Sequence, residues 1–202
     1  ELRTPAGGLA LEMLDGRGVD LAVERLGFAP PTQNRWPWYL LIELGGSDEQ
    51  TERLAGLLDS PAVRDEPAVG IDASDRARLW RLRDSFSEVV GLFGPPVKFD
   101  VALPVTSIPE FDRKATELVG ALSPETICVL FGHVAEGNLH LNLLNCPDDS
   151  VIYPPMMELI SEYGGNVSSE HGVGTRKRDC LSMSREQPDI DAMWMIKRAF
   201  DP

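Results

Sequence analysis

The chain holds three histidines, His133, His140 and His171, and all fall in two short glycine-bracketed segments, GHVAEGNLHLN at 132–142 and SSEHGVG at 168–174. Imidazole changes charge near neutral pH and is the commonest metal ligand, so this confinement points to proton-transfer or metal chemistry. On one straight strand His133 and His140 would face opposite sides, so a turn must separate them. Glu136-Gly137 suits a two-residue hairpin because glycine accepts φ > 0; such a turn pairs Ala135 with Asn138, Val134 with Leu139 and His133 with His140. Directly opposed residues have Cβ atoms about 4.5–5.5 Å apart, within reach of one cation. Beyond the turn, Asn138, His140 and Asn142 share one face and Leu139, Leu141 and Leu143 the other, so the leucines can pack on a core while the polar side opens onto a site.

The second segment supplies a third ligand. Glu170-His171 precedes Gly172 and Gly174, where the backbone can turn tightly and expose side chains. Adjacent residues point apart, so one of the pair can join a metal and leave the other free. A carboxylate completing a His₂Glu zinc site leaves one net positive charge and an open fourth position, suited to polarising a substrate oxygen. His133, His140 and Glu170 are therefore the expected ligands, and His171 is the expected base. The plainer alternative is a cross-strand polar pair on a solvated face, without metal. GVGTRK, at 172–177, offers only a bare G-x-G as a phosphate loop, without the flanking strand and helix pattern.

A chain of 202 residues, 43% hydrophobic and 25% charged, can bury a core as one large domain or two small ones. Its net charge of −13 repels nucleic acid and anionic membrane surfaces alike. Cys128, Cys146 and Cys180 show no C-x-x-C spacing and read as reduced thiols. Neither a signal pattern nor an apolar run near the roughly 20 residues of a membrane span is present. These features together read as a soluble, cytoplasmic protein. A start at Glu1 and an end at AFDP lead us to expect a piece of a longer polypeptide.

The elements that must position the motifs follow from periodicity. A helix is expected near 17–26, then a proline-rich tether in APPTQNRWPW, then a buried strand in WYLLIEL (38–44). Ser47, with Gln50 three residues on, caps a helix ending before Pro61. A weak strand is expected over 62–71. SDRARLWRLRDSFSEVV repeats Leu79, Leu82, Phe86 and Val89 or Val90 along one helix face, with Ser74 as cap. VKFDVALPV (97–105) alternates as a half-buried strand. A helix over 108–120, strands in TICVLFGH and LHLNLLN, and helices near 155–163 and 187–200 complete an α+β fold with a largely antiparallel sheet.

The two histidine motifs, with WYLLIELGGS, LWRLRDSF and KFDVALPV in the same order, closely resemble the C-terminal, substrate-side domain of FAD-linked oxidases of the vanillyl-alcohol-oxidase type, nearest to the D-2-hydroxyglutarate dehydrogenase, D-lactate dehydrogenase and glycolate oxidase flavoproteins. The resemblance implies a ferredoxin-like antiparallel sheet covered by helices, with 1–37 as a connecting segment and tether and 38–202 as the substrate and metal domain. It implies FAD-dependent oxidation of a D-2-hydroxy acid to a 2-oxo acid, with hydride passing to the flavin. FAD would be held mainly by a domain or subunit absent from this chain, so the chain alone should not turn over; an electron-transfer partner is expected downstream. The resemblance places zinc or another divalent metal on His133, His140 and Glu170, the base at His171, and substrate contacts at Arg83, Ser87, Lys98 and Asn142. The turn departs from the family's usual GHLGDGNLH at Ala135 and Glu136. Competing expectations are a stand-alone zinc hydrolase and a non-catalytic binding module.

Overall fold

The alternation in VKFDVA becomes strand β3 (Val97–Ala102), which buries Phe99 and Val101 on one face and turns Lys98 and Asp100 to the other. The computed structural model describes residues 8–201 apart from 46, 62 and 64–66. Helix α5 (Ile108–Leu122) follows, with proline in its first turn, where the missing N–H leaves no bond unmade. Its Ile108, Phe111, Ala115 and Val119 recur at helical spacing and pack against Phe99 and Val101 in the main core. Strands β4 (Ile127–His133) and β5 (Asn138–Leu144) form a hairpin, and helix α6 (Tyr153–Glu162) adds Met156, Met157 and Ile160 to the same core. In the sheet β5 lies between β3 and β4, with both pairings antiparallel. After α6 the chain returns to β3, where Ala102 and Asn166 exchange backbone hydrogen bonds of 3.3 and 2.8 Å. Strand, helix, strand, strand, helix and returning bridge make the split βαβ arrangement of ferredoxin-like folds.

Two more strands extend this unit, giving the order β2-β1-β4-β5-β3. Strand β1 (Gly8–Asp15) comes from within the segment expected to be a connector, yet it pairs with both β2 (Trp38–Leu44) and β4. Leu11 and Met13 enter the main core, while Leu14 packs on the opposite face, so apolar residues of both parities hide the strand period. Asp15 then caps helix α1 (Gly16–Leu26), accepting a hydrogen bond from the Arg17 N–H at 2.8 Å. Strand β2, expected to be buried, is a half-exposed edge strand because it has only β1 as neighbour.

Helix α2 (Asp48–Leu58) starts at Ser47 as expected, with the hydroxyl accepting from the Gln50 N–H. Helix α3 (Ala73–Asp84) is capped by Asp72 rather than Ser74. Asp72 is extended and accepts from the Asp75 N–H at 2.8 Å, whereas Ser74 is already inside the helix. The expected strand over 62–71 does not form at 63 or 67–71; its residues 62 and 64–66 lie outside the described residues. Helix α3 stops at Ser85 before the single turn α4 (Phe86–Val89), so Arg83 and Ser87 stand on successive helices. Helix α7 (Gln187–Phe200) closes the order.

The sheet face opposite α5 and α6 is divided. One part is covered by α1 and α4, where Leu14, Val19, Phe86, Val90, Val129, Phe131 and Leu144 form a second apolar cluster. On the remainder stand Glu12, Asp100, His133, Asn138, His140 and Asn142. The strand alternation puts them all on that face.

Candidate metal centre

The hairpin that carries His133 and His140 turns over four residues, Val134–Gly137, rather than two. Val134–Glu136 make a single 3₁₀ turn, and Gly137 closes it at φ +69° with its N–H donating to the Val134 carbonyl at 3.1 Å. His133 therefore pairs with Asn138, Gly132 with Leu139, and Phe131 with His140, correcting the expected register by one same-face step. The reason is tertiary. Val134 is buried in the main core, and the Gly137 carbonyl accepts from the Leu103 N–H at 2.9 Å. The two imidazoles still share a face as diagonal neighbours, with ring centroids 5.9 Å apart and planes at 85°.

Each imidazole faces a buried carboxylate on the flanking strand. Glu12 of β1 lies across from His133, with Oε1 2.6 Å from Nδ1. Asp100 of β3 lies across from His140, with Oδ1 3.7 Å from Nδ1. In both rings Nδ1 is on the carboxylate side, leaving Nε2 as the nitrogen for a metal. The Glu12–His133 contact is the outer-shell bond typical of metal-binding histidines, while Asp100 faces His140 without reaching hydrogen-bond distance. Burial pushes the His140 pKa below the ordinary imidazole value, against the opposing pull of Glu170 and Asp100, and so favours the neutral, ligating form.

Asp100 also assembles the second motif. Its Oδ2 accepts backbone N–H bonds from Ser169, Glu170 and His171 at 3.1, 3.0 and 3.0 Å. Burial pushes the Asp100 pKa up, but the hydrogen bonds from His171 and Glu170, with the nearby charges of His171 and Lys177, bring it below the ordinary carboxylate value. Lys177 donates from Nζ to the Asp100 carbonyl at 3.2 Å, and burial lowers its own pKa. The segment thus folded sets Glu170 Oε1 3.5 Å from His140 Nε2 and 3.1 Å from His171 Nε2, while Asn138 donates from Nδ2 to Glu170 Oε2 at 2.8 Å. The His140 and His171 rings stack with centroids 5.4 Å apart.

Ligand atoms 2.0–2.2 Å from a tetrahedral zinc are separated by about 3.4 Å, close to the distances from Glu170 to His140 and His171. Among the described residues, Asp100, His140, Glu170 and His171 offer ligand atoms all within 4.8 Å of one another. Two of the three expected ligands, His140 and Glu170, are in this group with the expected base; His133 is not in it and stands beside His140. Asp100 Oδ1 and Asn138 Oδ1 are buried without hydrogen-bond partners. A polar floor with unspent acceptors and two carboxylate-backed imidazoles fits a divalent cation.

The expected substrate contacts sit around this group unevenly. Arg83 donates from Nε to Glu12 Oε2 at 3.0 Å and holds Nη2 3.0 Å from the same oxygen in an ion pair, so one edge of its fork is committed. Lys98 is exposed and directly across from Asn142, which is buried and donates from Nδ2 to the His140 carbonyl at 3.0 Å. Ser87 is exposed on α4. Sequence reasoning did not select Glu12, Asp100 or Lys177, and it placed Asn138 on the site face without giving it a role. The available signal was an acid set in the middle of an otherwise apolar strand, in LALEML and again in KFDVAL.

The fold and site define a ferredoxin-like α+β domain whose open sheet face gathers histidines and carboxylates. The family model described as "FAD linked oxidases, C-terminal domain" matches residues 5–202, and the chain belongs to that family. It is 29% identical over 207 residues to D-2-hydroxyglutarate dehydrogenase of Stutzerimonas stutzeri (strain A1501), covering 96% of this chain and 44% of that protein. It is 30% identical over 204 residues to the mitochondrial D-2-hydroxyglutarate dehydrogenase of Arabidopsis thaliana, covering 96% and 36%. Against a D-2-hydroxyglutarate–pyruvate transhydrogenase of Saccharomyces cerevisiae it is 30% identical over 210 residues, covering 96% and 42%. The chain thus spans less than half the length of each of these relatives.

Proposed function

We propose that this chain is the substrate and metal side of an FAD-dependent oxidoreductase that converts a D-2-hydroxy acid to a 2-oxo acid. The observation that carries the reading is the pair of hairpin histidines, each with Nδ1 toward a buried cross-strand carboxylate, beside a loop that delivers Glu170. The proposed ligands are His133, His140 and Glu170. A divalent metal such as zinc, when bound there, supplies Lewis acidity toward the substrate's hydroxyl and carboxylate oxygens. His171, 63% exposed at its side chain, accepts the hydroxyl proton at Nε2 while Asp100, 3.7 Å from Nδ1, stabilises the resulting imidazolium. FAD, when bound by the rest of the polypeptide or by a partner subunit, supplies the acceptor for the Cα hydride.

Arg83 and Lys98 are the proposed anchors for substrate carboxylate groups, with Ser87 and Asn142 as polar neighbours. Two cationic anchors suit a dicarboxylate, and the names of the relatives make D-2-hydroxyglutarate the first substrate to test. The proposal places the enzyme in the cytoplasm, supported by three free cysteines. Among the described residues no helix is long and apolar enough to cross a membrane. The surface proposed to meet the flavin-binding portion is α7, which has no buried residue and exposes Trp194, Met195, Ile196 and Phe200.

The test is anaerobic flavin reduction in protein that includes the flavin-binding portion. D-2-hydroxyglutarate should bleach the flavin, with D-lactate and glycolate as comparisons, and His171→Ala should slow that step roughly 10²–10⁴-fold. An unchanged rate would remove His171 as the base. Absence of bound metal in protein purified without a histidine tag or chelator would remove the metal.

A further inference from the structure

Glu12 belongs to neither histidine motif, yet it is 4% exposed on an interior strand with both oxygens engaged. Oε1 lies 2.6 Å from His133 Nδ1, and Oε2 accepts from Arg83 Nε at 3.0 Å, with Nη2 3.0 Å away in the same ion pair. We propose that Glu12 is a positioning residue that fixes the tautomer of His133, with Arg83 as the residue that makes this choice obligatory. The inference deepens the proposed function and rests on His133 as a metal ligand. Guanidinium has donors and no acceptor, so whatever faces Arg83 must accept. A carboxylate can accept on both oxygens at once; its second oxygen therefore takes the His133 Nδ1 proton and leaves the Nε2 lone pair free for a cation. Arg83 thus spends its Nε/Nη2 edge on Glu12, while Nη1, 3.9 Å from the exposed Asp84 Oδ1, points away from that carboxylate.

The Arg83 requirement gives a sharp test. In E12Q the amide carbonyl must face Arg83, so the amide NH₂ is turned to His133 Nδ1, which then has to accept; the proton moves to Nε2 and blocks ligation. In E12Q/R83M that demand is gone, and the carbonyl can rotate to His133 and restore the original tautomer. Long-range ¹H–¹⁵N spectra of the full, metal-free chain, recorded well above the usual imidazole pKa, report the protonated nitrogen in each of its three histidines. The expected result is Nδ1–H at His133 in wild type, Nε2–H in E12Q and Nδ1–H again in E12Q/R83M. Zinc affinity, measured by competition with a chromogenic chelator, should fall roughly 10- to 100-fold in E12Q and recover most of that loss in the double variant. Such recovery is not expected of a purely structural Glu12, whose loss the second substitution would compound. Nε2–H at His133 in wild type would overturn the inference, as would wild-type zinc affinity in E12Q. If E12Q does not fold, the wild-type tautomer decides. Wild-type protein that binds no zinc would instead overturn the proposed function, while the tautomer spectra would still decide what Glu12 does.

Discussion

Asp100 and His140 stand directly across from one another in the β3–β5 ladder, with carboxylate Oδ1 3.7 Å from imidazole Nδ1. The other oxygen of the same carboxylate gathers three consecutive backbone N–H groups, those of Ser169, Glu170 and His171. One buried side chain therefore faces a proposed ligand and folds the loop that brings the next. Backbone geometry, more than the reach of the Glu170 side chain, fixes where that carboxylate arrives.

Asp100→Asn keeps the shape and one acceptor oxygen but removes the charge that strengthens these bonds. Hydrogen bonds to charged groups contribute about 1.5–3 kcal/mol and neutral ones about 0.5–1.5, so a net loss of about 1–3 kcal/mol is expected. Urea denaturation at neutral pH measures it. Hydrogen exchange at the amides of 169–171 should rise selectively, since their bonds are the ones that lose a charged acceptor. Unchanged protection there would mean that the loop holds itself together.

Acid should weaken the metal-free fold in two separate stages. His140 has a folded pKa below its unfolded value of about 6.5. Between the two values the unfolded chain binds the extra proton, so this contribution is full above about 6.5 and is lost as pH falls through the folded pKa. Asp100 is also depressed, from about 3.9, so its contribution holds above that value and is lost as pH falls through its folded pKa. Urea midpoints with chelator present, followed from about pH 8 to about pH 3, should show both declines. His140→Gln should flatten the upper stage and Asp100→Asn the lower; a single decline untouched by either substitution would contradict the assignment.

Much of the frame is legible locally. The alternation of Val97, Phe99 and Val101, the helical spacing of Phe111, Ala115 and Val119, and the hydroxyl of Ser47 each specify their own element without distant help. The hairpin register is not local. It depends on Val134 finding the main core and on Leu103 donating to Gly137, two contacts invisible along the strand itself. Glu12 and Asp100 are hidden differently. An isolated acid in an apolar strand says that a partner is needed, but identifying His133 or the 169–171 amides requires the sheet order. Likewise β1 escapes notice because both of its faces are covered over part of its length.

Gly137→Ala should damage the site through the register. The residue sits at φ +69°, and an added Cβ would lie 1.9 Å from the Leu103 carbonyl oxygen, so the turn must move as well as bear left-handed strain. Gly27 is the control, because at φ +75° it has nothing within 4 Å of an added Cβ and would bear strain alone, about 1–2 kcal/mol. Chemical denaturation should give a clearly larger loss for Gly137→Ala than for Gly27→Ala. Zinc affinity should fall only in the former. Equal losses with unchanged zinc binding would show that the hairpin tolerates the shift.

Helix α7 gives the last expectation. Its 14 residues include none that is buried, and Met193, Ile196 and Phe200 fall at i, i+3 and i+7 along one face, with Ile196 62% and Phe200 87% exposed. Isolated helices of about 12–15 residues are marginal in water, and most take their stability from packing an apolar face. Covered by the proposed flavin-binding portion, α7 should gain what it lacks in this chain. Hydrogen exchange by mass spectrometry should therefore show 187–200 exchanging fast in the 202-residue chain and strongly protected in protein carrying the flavin-binding portion. Ile196→Glu with Phe200→Glu should reverse that protection while leaving the urea midpoint of the 202-residue chain nearly unchanged, since neither side chain is packed there. Equal exchange of α7 in both proteins would place the flavin-binding contact on another face.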